Sequence, residues 1–220
     1  MNNPDVAATA SNASVHGPVN GDARHVILAS RSPARIALLT AANIRFIARA
    51  AEIDERAVET PLVAAGASPG EIAVALAEAK TLAVAKSAGT DAIVIGADQT
   101  LDLDGRRWVK PATLSTARNQ LARLSGRSHT LHSAVAAARA GAIVWRHVES
   151  PTLTMRPLTP SAIDAYLAAA GEAALASVGA YQIEGRGIQL FERIDGDYFA
   201  ILGLPLLPVL AFLRREGAIS

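Results

Sequence analysis

Ser30, Arg31, Ser32 and Arg35 fall where a short apolar run, residues 26–29, gives way to a helical pattern opening at Pro33. A helix N-terminus offers free backbone N–H groups and the positive end of the helix dipole. Hydroxyl and guanidinium groups beside it add charge-assisted hydrogen bonds, so this cluster suits phosphate oxygens. Asp98 ends a second apolar run, residues 93–97, and carboxylates at strand ends face the ligand crevice of an α/β sheet. With Glu55 it can hold a magnesium ion, whose ligands are carboxylates, waters and phosphate oxygens. Lys80, within an Ala-rich segment, and Lys110, closing a hairpin, are cations that can meet a polyphosphate. Taken singly, each has a structural alternative: a capped helix with solvated arginines, a turn aspartate, a lysine that snorkels to solvent. Spacing alone does not choose between them.

Other signals fail. His129 and His132 are three apart in an expected strand, point to opposite faces and cannot chelate together. Asp102 and Asp104 precede Gly105 like part of a calcium loop, but Pro111 stands where the closing glutamate belongs. There is no Walker loop, no GxGxxG and no GxSxG elbow.

The elements that must position these groups follow from hydrophobic period and punctuation. Residues 26–29 read as a buried strand. Ser32 caps the next helix, Pro33 sits in its first turn, and Asn43 ends it. A strand at 45–48 precedes the acidic cluster of residues 52–55, and a long helix runs from 68 to 87. Residues 92–96 read as a buried strand and residues 100–109 as a hairpin turning at Asp104-Gly105. Thr113 caps a helix to about 125. Two long strands are expected between 129 and 155, then a helix over 159–170 and an irregular stretch over 179–187. The last expectations are strands at 188–194 and 199–202 and a final helix from 204–205. Mixed strands and helices with long antiparallel pieces predict an α/β fold with a mixed sheet.

Composition bounds the rest. The 220 residues are half hydrophobic, enough for a sizeable core, and include no cysteine. That removes disulfides, thiolate metal sites and a cysteine nucleophile, and fits a reducing compartment. With 21 basic and 20 acidic side chains the net charge is +1, and aromatics are 4%; neither a basic stripe nor a stacking platform for nucleic acid is present. Residues 1–22 have the composition of a disordered tail and lack the pattern of a secretory signal. The apolar stretches are all broken well before a membrane span of roughly 20 residues. The expectation is a cytoplasmic protein with no nucleic-acid or membrane partner, its ordered domain spanning residues 23–220.

Read in order, these pieces resemble the Maf family of nucleotide pyrophosphatases, also called septum formation inhibitor proteins. The resemblance rests on residues 28–35, on Ile53-Asp54-Glu55 and Ala77-Glu78-Ala79-Lys80, and on Ile95-Gly96-Ala97-Asp98-Gln99 and Lys110-Pro111. It continues through residues 124–129, 179–185 and 191–198 and Gly203-Leu204-Pro205-Leu206. It implies a two-lobed mixed sheet with a cleft, related to the inosine-triphosphate pyrophosphatases and often dimeric. It also implies cleavage of a nucleoside triphosphate to monophosphate and pyrophosphate with Mg²⁺ or Mn²⁺. On that resemblance Asp98 takes the catalytic aspartate position, as general base or metal ligand, and Glu55 helps hold metal. Ser30, Arg35, Lys80 and Lys110 take the polyphosphate positions.

Three positions distinguish the family's branches: here Ala34, Gln99 and Glu184. The branch cleaving dTTP and UTP usually has Arg, Thr and Gln there. The 7-methyl-GTP branch shares Gln and Glu at the latter two but has a bulky residue where this chain has Ala34. A carboxylate only accepts hydrogen bonds, which matches the adjacent N1–H and amine of guanine. An unsatisfied buried partner costs about 1–3 kcal/mol, roughly tenfold to hundredfold in discrimination. A modified purine nucleotide is therefore the expected substrate. The competing expectations are dTTP/UTP specificity, a nucleotide sensor without turnover, and a non-catalytic cell-division regulator acting by protein binding.

Overall fold

The computed structural model describes residues 14–16 and 25–220. Of the segment read as a tail, only Ser14–His16 is among them, as a short strand β1; the remainder of residues 1–22 lies outside the described residues.

Strand β2 (Val26–Leu28) is wholly buried and leads into helix α1 (Pro33–Ala41), capped by Ser32, whose side chain accepts from the Arg35 N–H. The chain returns through β3 (Phe46–Ala48). It then forms α2 (Glu55–Ala64), a helix with no buried residue, capped by Asp54. The long α3 (Pro69–Ala85) starts at a reciprocal Ser68–Glu71 capping box, which satisfies two orphan N–H groups at once.

β4 (Ile93–Leu103) is one continuous strand of 11 residues, where the sequence reading broke it between 96 and 100. Asp104 and Gly105, both at positive φ, turn it into β5 (Arg106–Trp108), the tight hairpin that this dipeptide signals. Helix α4 (Leu114–Leu124), capped by Thr113, precedes β6 (Ser128–Arg139) and β7 (Ala142–Glu149). A third strand, β8 (Thr152–Met155), follows Pro151 where two strands were expected in this region, because proline interrupts the ladder and lets the chain change neighbours.

After α5 (Pro160–Ala170) come 3₁₀ turns over Gly171–Leu175, Val178–Ala180 and Arg186–Leu190. β9 (Phe191–Asp195) thus starts later than expected, and residues 188–190 belong to a turn. Residues 199–202, read as a strand, instead fall in the short helix α6 (Tyr198–Ile201) and its C-cap Leu202. Asp197 caps it by accepting from the Ala200 N–H at 2.8 Å, and a cap of that kind outweighs the β-propensity of a four-residue apolar run. Helix α7 (Leu206–Arg215) closes the chain.

Among the described residues the strands form one mixed sheet in the order β1-β3-β2-β4-β6-β8-β9, with β5 added on β4 and β7 on β6. β2 is parallel to β3 and β4, and the β4–β6 ladder is antiparallel over ten residue pairs. Two large apolar clusters sit along this ladder. One gathers Leu28, Leu39, Phe46, Ile95 and Phe212; the other gathers Leu101, Leu121, Leu131, Leu153 and Ile183. β4 and β6 contribute to both, so the two lobes share continuous strands, and Leu202 packs against each. No helix among the described residues is long and apolar enough to cross a membrane.

Candidate active site

Lys80 and Asp98 meet because α3 lies unusually close to β4. The contact point is Gly96: a β-carbon there would lie 2.8 Å from both the Ala77 carbonyl and the Thr81 nitrogen. Thr81, fully buried, hydrogen-bonds the Ala77 carbonyl at 2.7 Å and reaches the Ala136 carbonyl of β6 at 3.3 Å. This seat directs the neighbouring Lys80 at Asp98, which lies in the middle of β4 and not at a strand end as the sequence reading expected. Its Nζ lies 2.5 Å from Asp98 Oδ1 and 2.8 Å from Glu55 Oε1. Glu55 arrives as the first residue of α2, half exposed, whereas Asp98 is only 8% exposed.

Across from this triad, the Arg35 guanidinium is tied down from three sides. Nε donates to the Gly203 carbonyl at 2.7 Å, and Nη1 donates to the Ala97 carbonyl at 2.9 Å and to Ser30 Oγ at 3.5 Å. Burial lowers its pKa, while Asp98 and Glu55 act in the opposite direction. Its charge is secure, since guanidinium does not deprotonate in proteins.

These groups line one cavity of about 310 Å³. Its floor carries Lys80, Asp98 and Gln99, one wall is the α1 N-terminus from Ser32 to Arg35, and Glu55 and Lys110 stand at the edge. The opposite wall comes from the second lobe: Leu131, Ser177, Tyr181, Gln182, Ile183 and Glu184. The cavity thus brings together eight of the nine site residues read from sequence. Ser30 is the exception. It is buried, accepts from the Ser32 N–H at 3.1 Å and stands behind Arg35, outside the lining. Glu184, expected as a buried partner, is exposed at the rim, so it can discriminate by desolvation only once a bound base covers it. Of that wall, Tyr181, Gln182 and Ile183 were read as part of an irregular stretch and of the family resemblance with no role at the cavity, Ser177 fell outside both, and Leu131 carried no signal beyond core periodicity.

No group of three metal-ligating side chains stands together among the described residues. Asp98 and Glu55 nonetheless bracket a single ammonium, so both carboxylates already converge on one cationic position. Two carboxylates, with water and phosphate oxygens completing the shell, fit the way Mg²⁺ is held.

Behind the second wall, His129 Nε2 and Tyr181 Oη lie 2.6 Å apart in a buried pair, and His129 Nδ1 has no hydrogen-bond partner among the described residues. Burial pushes the His129 pKa from 6.5 down to about 4 and raises that of Tyr181. Below pH 6.5 the unfolded chain protonates this histidine before the native one does. Stability therefore falls as pH drops from 6.5 to 4, by about 3 kcal/mol from this group when complete. His129→Gln keeps a hydrogen-bonding end group without a titration, and urea melts at pH 7, 5.5 and 4.5 should show a shallower acid-side decline than wild type. Equal slopes would mean that the carboxylates alone set acid sensitivity.

The model of the Maf-like protein family matches residues 25–216. A 7-methyl-GTP pyrophosphatase of Rhizobium meliloti is 57% identical over 195 residues, covering 89% of this chain and 98% of its own length. One of the same name from Brucella abortus is 54% identical over the same shares. A nucleoside triphosphate pyrophosphatase of Caulobacter vibrioides is 49% identical, covering 89% of this chain and 97% of its own length. With a match running from the residue before β2 to the end of α7, over the whole cavity lining, this chain belongs to the Maf family.

Proposed function

We propose that this chain hydrolyses nucleoside triphosphates between the α and β phosphates, releasing pyrophosphate, with purine-type nucleotides such as 7-methyl-GTP as its substrates. The carrying observation is the Asp98–Lys80–Glu55 cluster facing the α1 N-terminus across one cavity. The names of the relatives, which the chain matches at 49–57% identity, support the same activity.

Hydrolysis at phosphorus needs charge neutralisation and an oriented water more than a protein nucleophile. The α1 N-terminus, through its Ala34 N–H and the Ser32 hydroxyl, and Lys110 at the edge bind the polyphosphate, while Arg35 braces the Gly203 loop against β4. Asp98 uses Oδ1 for Lys80, and Oδ2 accepts from no protein donor among the described residues, which leaves that oxygen for a water proton. Glu55 and Asp98 are the residues that would hold Mg²⁺ or Mn²⁺. Such an ion would supply Lewis-acid polarisation of the phosphoryl oxygens. Lys80 keeps the two carboxylates converged and limits their mutual repulsion.

At the other end, Glu184 supplies an acceptor-only group to the base, matched to the donor edge of guanine. The test is pyrophosphate release from GTP, 7-methyl-GTP, CTP, UTP and dTTP with each metal. The expected order puts the guanine nucleotides first, with Glu184→Gln cutting their kcat/KM relative to UTP by roughly tenfold. Equal rates for UTP and 7-methyl-GTP, unmoved by Glu184→Gln, would overturn the purine assignment. No release from any nucleotide would overturn the activity itself.

A further inference from the structure

We propose that Ser133 is a specificity-positioning residue: it locks the Gln99 side-chain amide so that Gln99 faces the nucleobase as a hydrogen-bond acceptor. The inference rests on the pyrophosphatase reading above and concerns how the base end of that cavity is polarised.

Gln99 and Ser133 are direct cross-strand neighbours on β4 and β6. Gln99 Nε2 lies 2.8 Å from Ser133 Oγ and 3.0 Å from the carbonyl oxygens of both Ala200 and Ile201. Ser133 is fully buried, and its hydroxyl donates to the Ala200 carbonyl at 2.6 Å. The hydroxyl's one proton is therefore spent, and toward Gln99 the serine can only accept. The Ala200 carbonyl also takes the Gly203 N–H at 2.9 Å, so its two lone pairs have donors before Gln99 is counted. The two Gln99 N–H bonds are then best satisfied by Ile201 O and Ser133 Oγ.

A flipped amide would set Oε1 against two proton-less carbonyls and a committed hydroxyl, leaving several buried polar groups unpaired at about 1–3 kcal/mol each. Oε1 accepts from no protein donor among the described residues, and Gln99 lines the cavity. The group left for the base is thus a carbonyl oxygen. Together with the Glu184 carboxylate it makes the base end of the cavity acceptor-rich, complementary to a ring N–H and an exocyclic amine and poorly matched to the carbonyls of uracil or thymine.

The experiment compares kcat/KM for 7-methyl-GTP and UTP in the wild type, Ser133→Ala, Ser133→Thr and Gln99→Met, each checked by thermal melting. The expected result is that Ser133→Ala lowers the ratio by roughly three- to tenfold through KM rather than kcat. Ser133→Thr, which keeps the hydroxyl, restores it, and Gln99→Met lowers it at least as far. Slow exchange of the Gln99 side-chain amide protons in the nucleotide-free wild type, quickened in Ser133→Ala, reads the lock without activity. A ratio unmoved by Ser133→Ala but collapsed by Gln99→Met overturns the role of Ser133 while sparing the activity. A ratio unmoved by either overturns base reading by Gln99 altogether. Absence of pyrophosphate release in the wild type is a failure of the underlying activity.

Discussion

Asp98→Asn is expected to lower the turnover number for pyrophosphate release by roughly two to four orders of magnitude while leaving the protein folded. The substitution keeps the side-chain shape, and the Asn carbonyl oxygen can still accept from Lys80 Nζ, which also retains Glu55 at 2.8 Å. What disappears is the negative charge and the basic oxygen facing the cavity. A carboxylate that takes a proton from water or anchors a divalent cation loses both capacities, whereas one that merely positions Lys80 loses little. Rates with Mg²⁺ and Mn²⁺, together with Mn²⁺ affinity, separate these roles. A variant retaining more than about a tenth of the wild-type rate would remove Asp98 from the chemistry. The same variant divides enzyme from regulator, because a cellular division effect that survives it cannot depend on hydrolysis.

The sequence was most legible where local physics and tertiary burial agree. Ser32-Pro33 and Ser68-Pro69 mark helix starts by capping, and both helices begin there. Asp104-Gly105 marks a hairpin because its turn needs positive φ, and both residues adopt it. Helix α2 escaped reading because it buries nothing and contains Pro61, so it lacks an apolar stripe. Helix α6 escaped because four apolar residues fit either state, and the decision lies with the Asp197 cap. In the site, residue types were legible and partnerships were not. Nothing in spacing says that Lys80, 18 residues before Asp98, sits against it rather than in solvent, since that depends on a close helix–strand approach. Nor does spacing show that Arg35 spends its donors on Gly203 and Ala97, or that Gln99 spends its own on Ser133 and α6.

Gly96→Ala tests that approach, and it is expected to damage stability and activity together. The added carbon would overlap Thr81 Oγ1 and lie 2.8 Å from the Ala77 carbonyl and Thr81 nitrogen, inside any real contact distance. Two of these three atoms are helix backbone, so no side-chain rotation relieves the clash and α3 must withdraw from the sheet. Overpacking of this kind costs about 1–3 kcal/mol, a fall in Tm of roughly 2–12 °C for a chain of this size. Withdrawal also lengthens the 2.5 Å contact between Lys80 and Asp98, and a shift on the order of 1 Å in a charged cluster can cost about a hundredfold in rate. Gly89→Ala is the control, since a β-carbon there meets nothing within 4 Å; it should leave both properties unchanged. A Gly96→Ala protein with an unaltered Tm would mean that α3 has slack at this point. One with a lowered Tm but full turnover would mean that the cluster tolerates a displaced lysine. The expected joint loss follows from geometry: the residue that admits α3 to the sheet is two positions from the aspartate on β4, and the residue that packs against it is next to the lysine on α3.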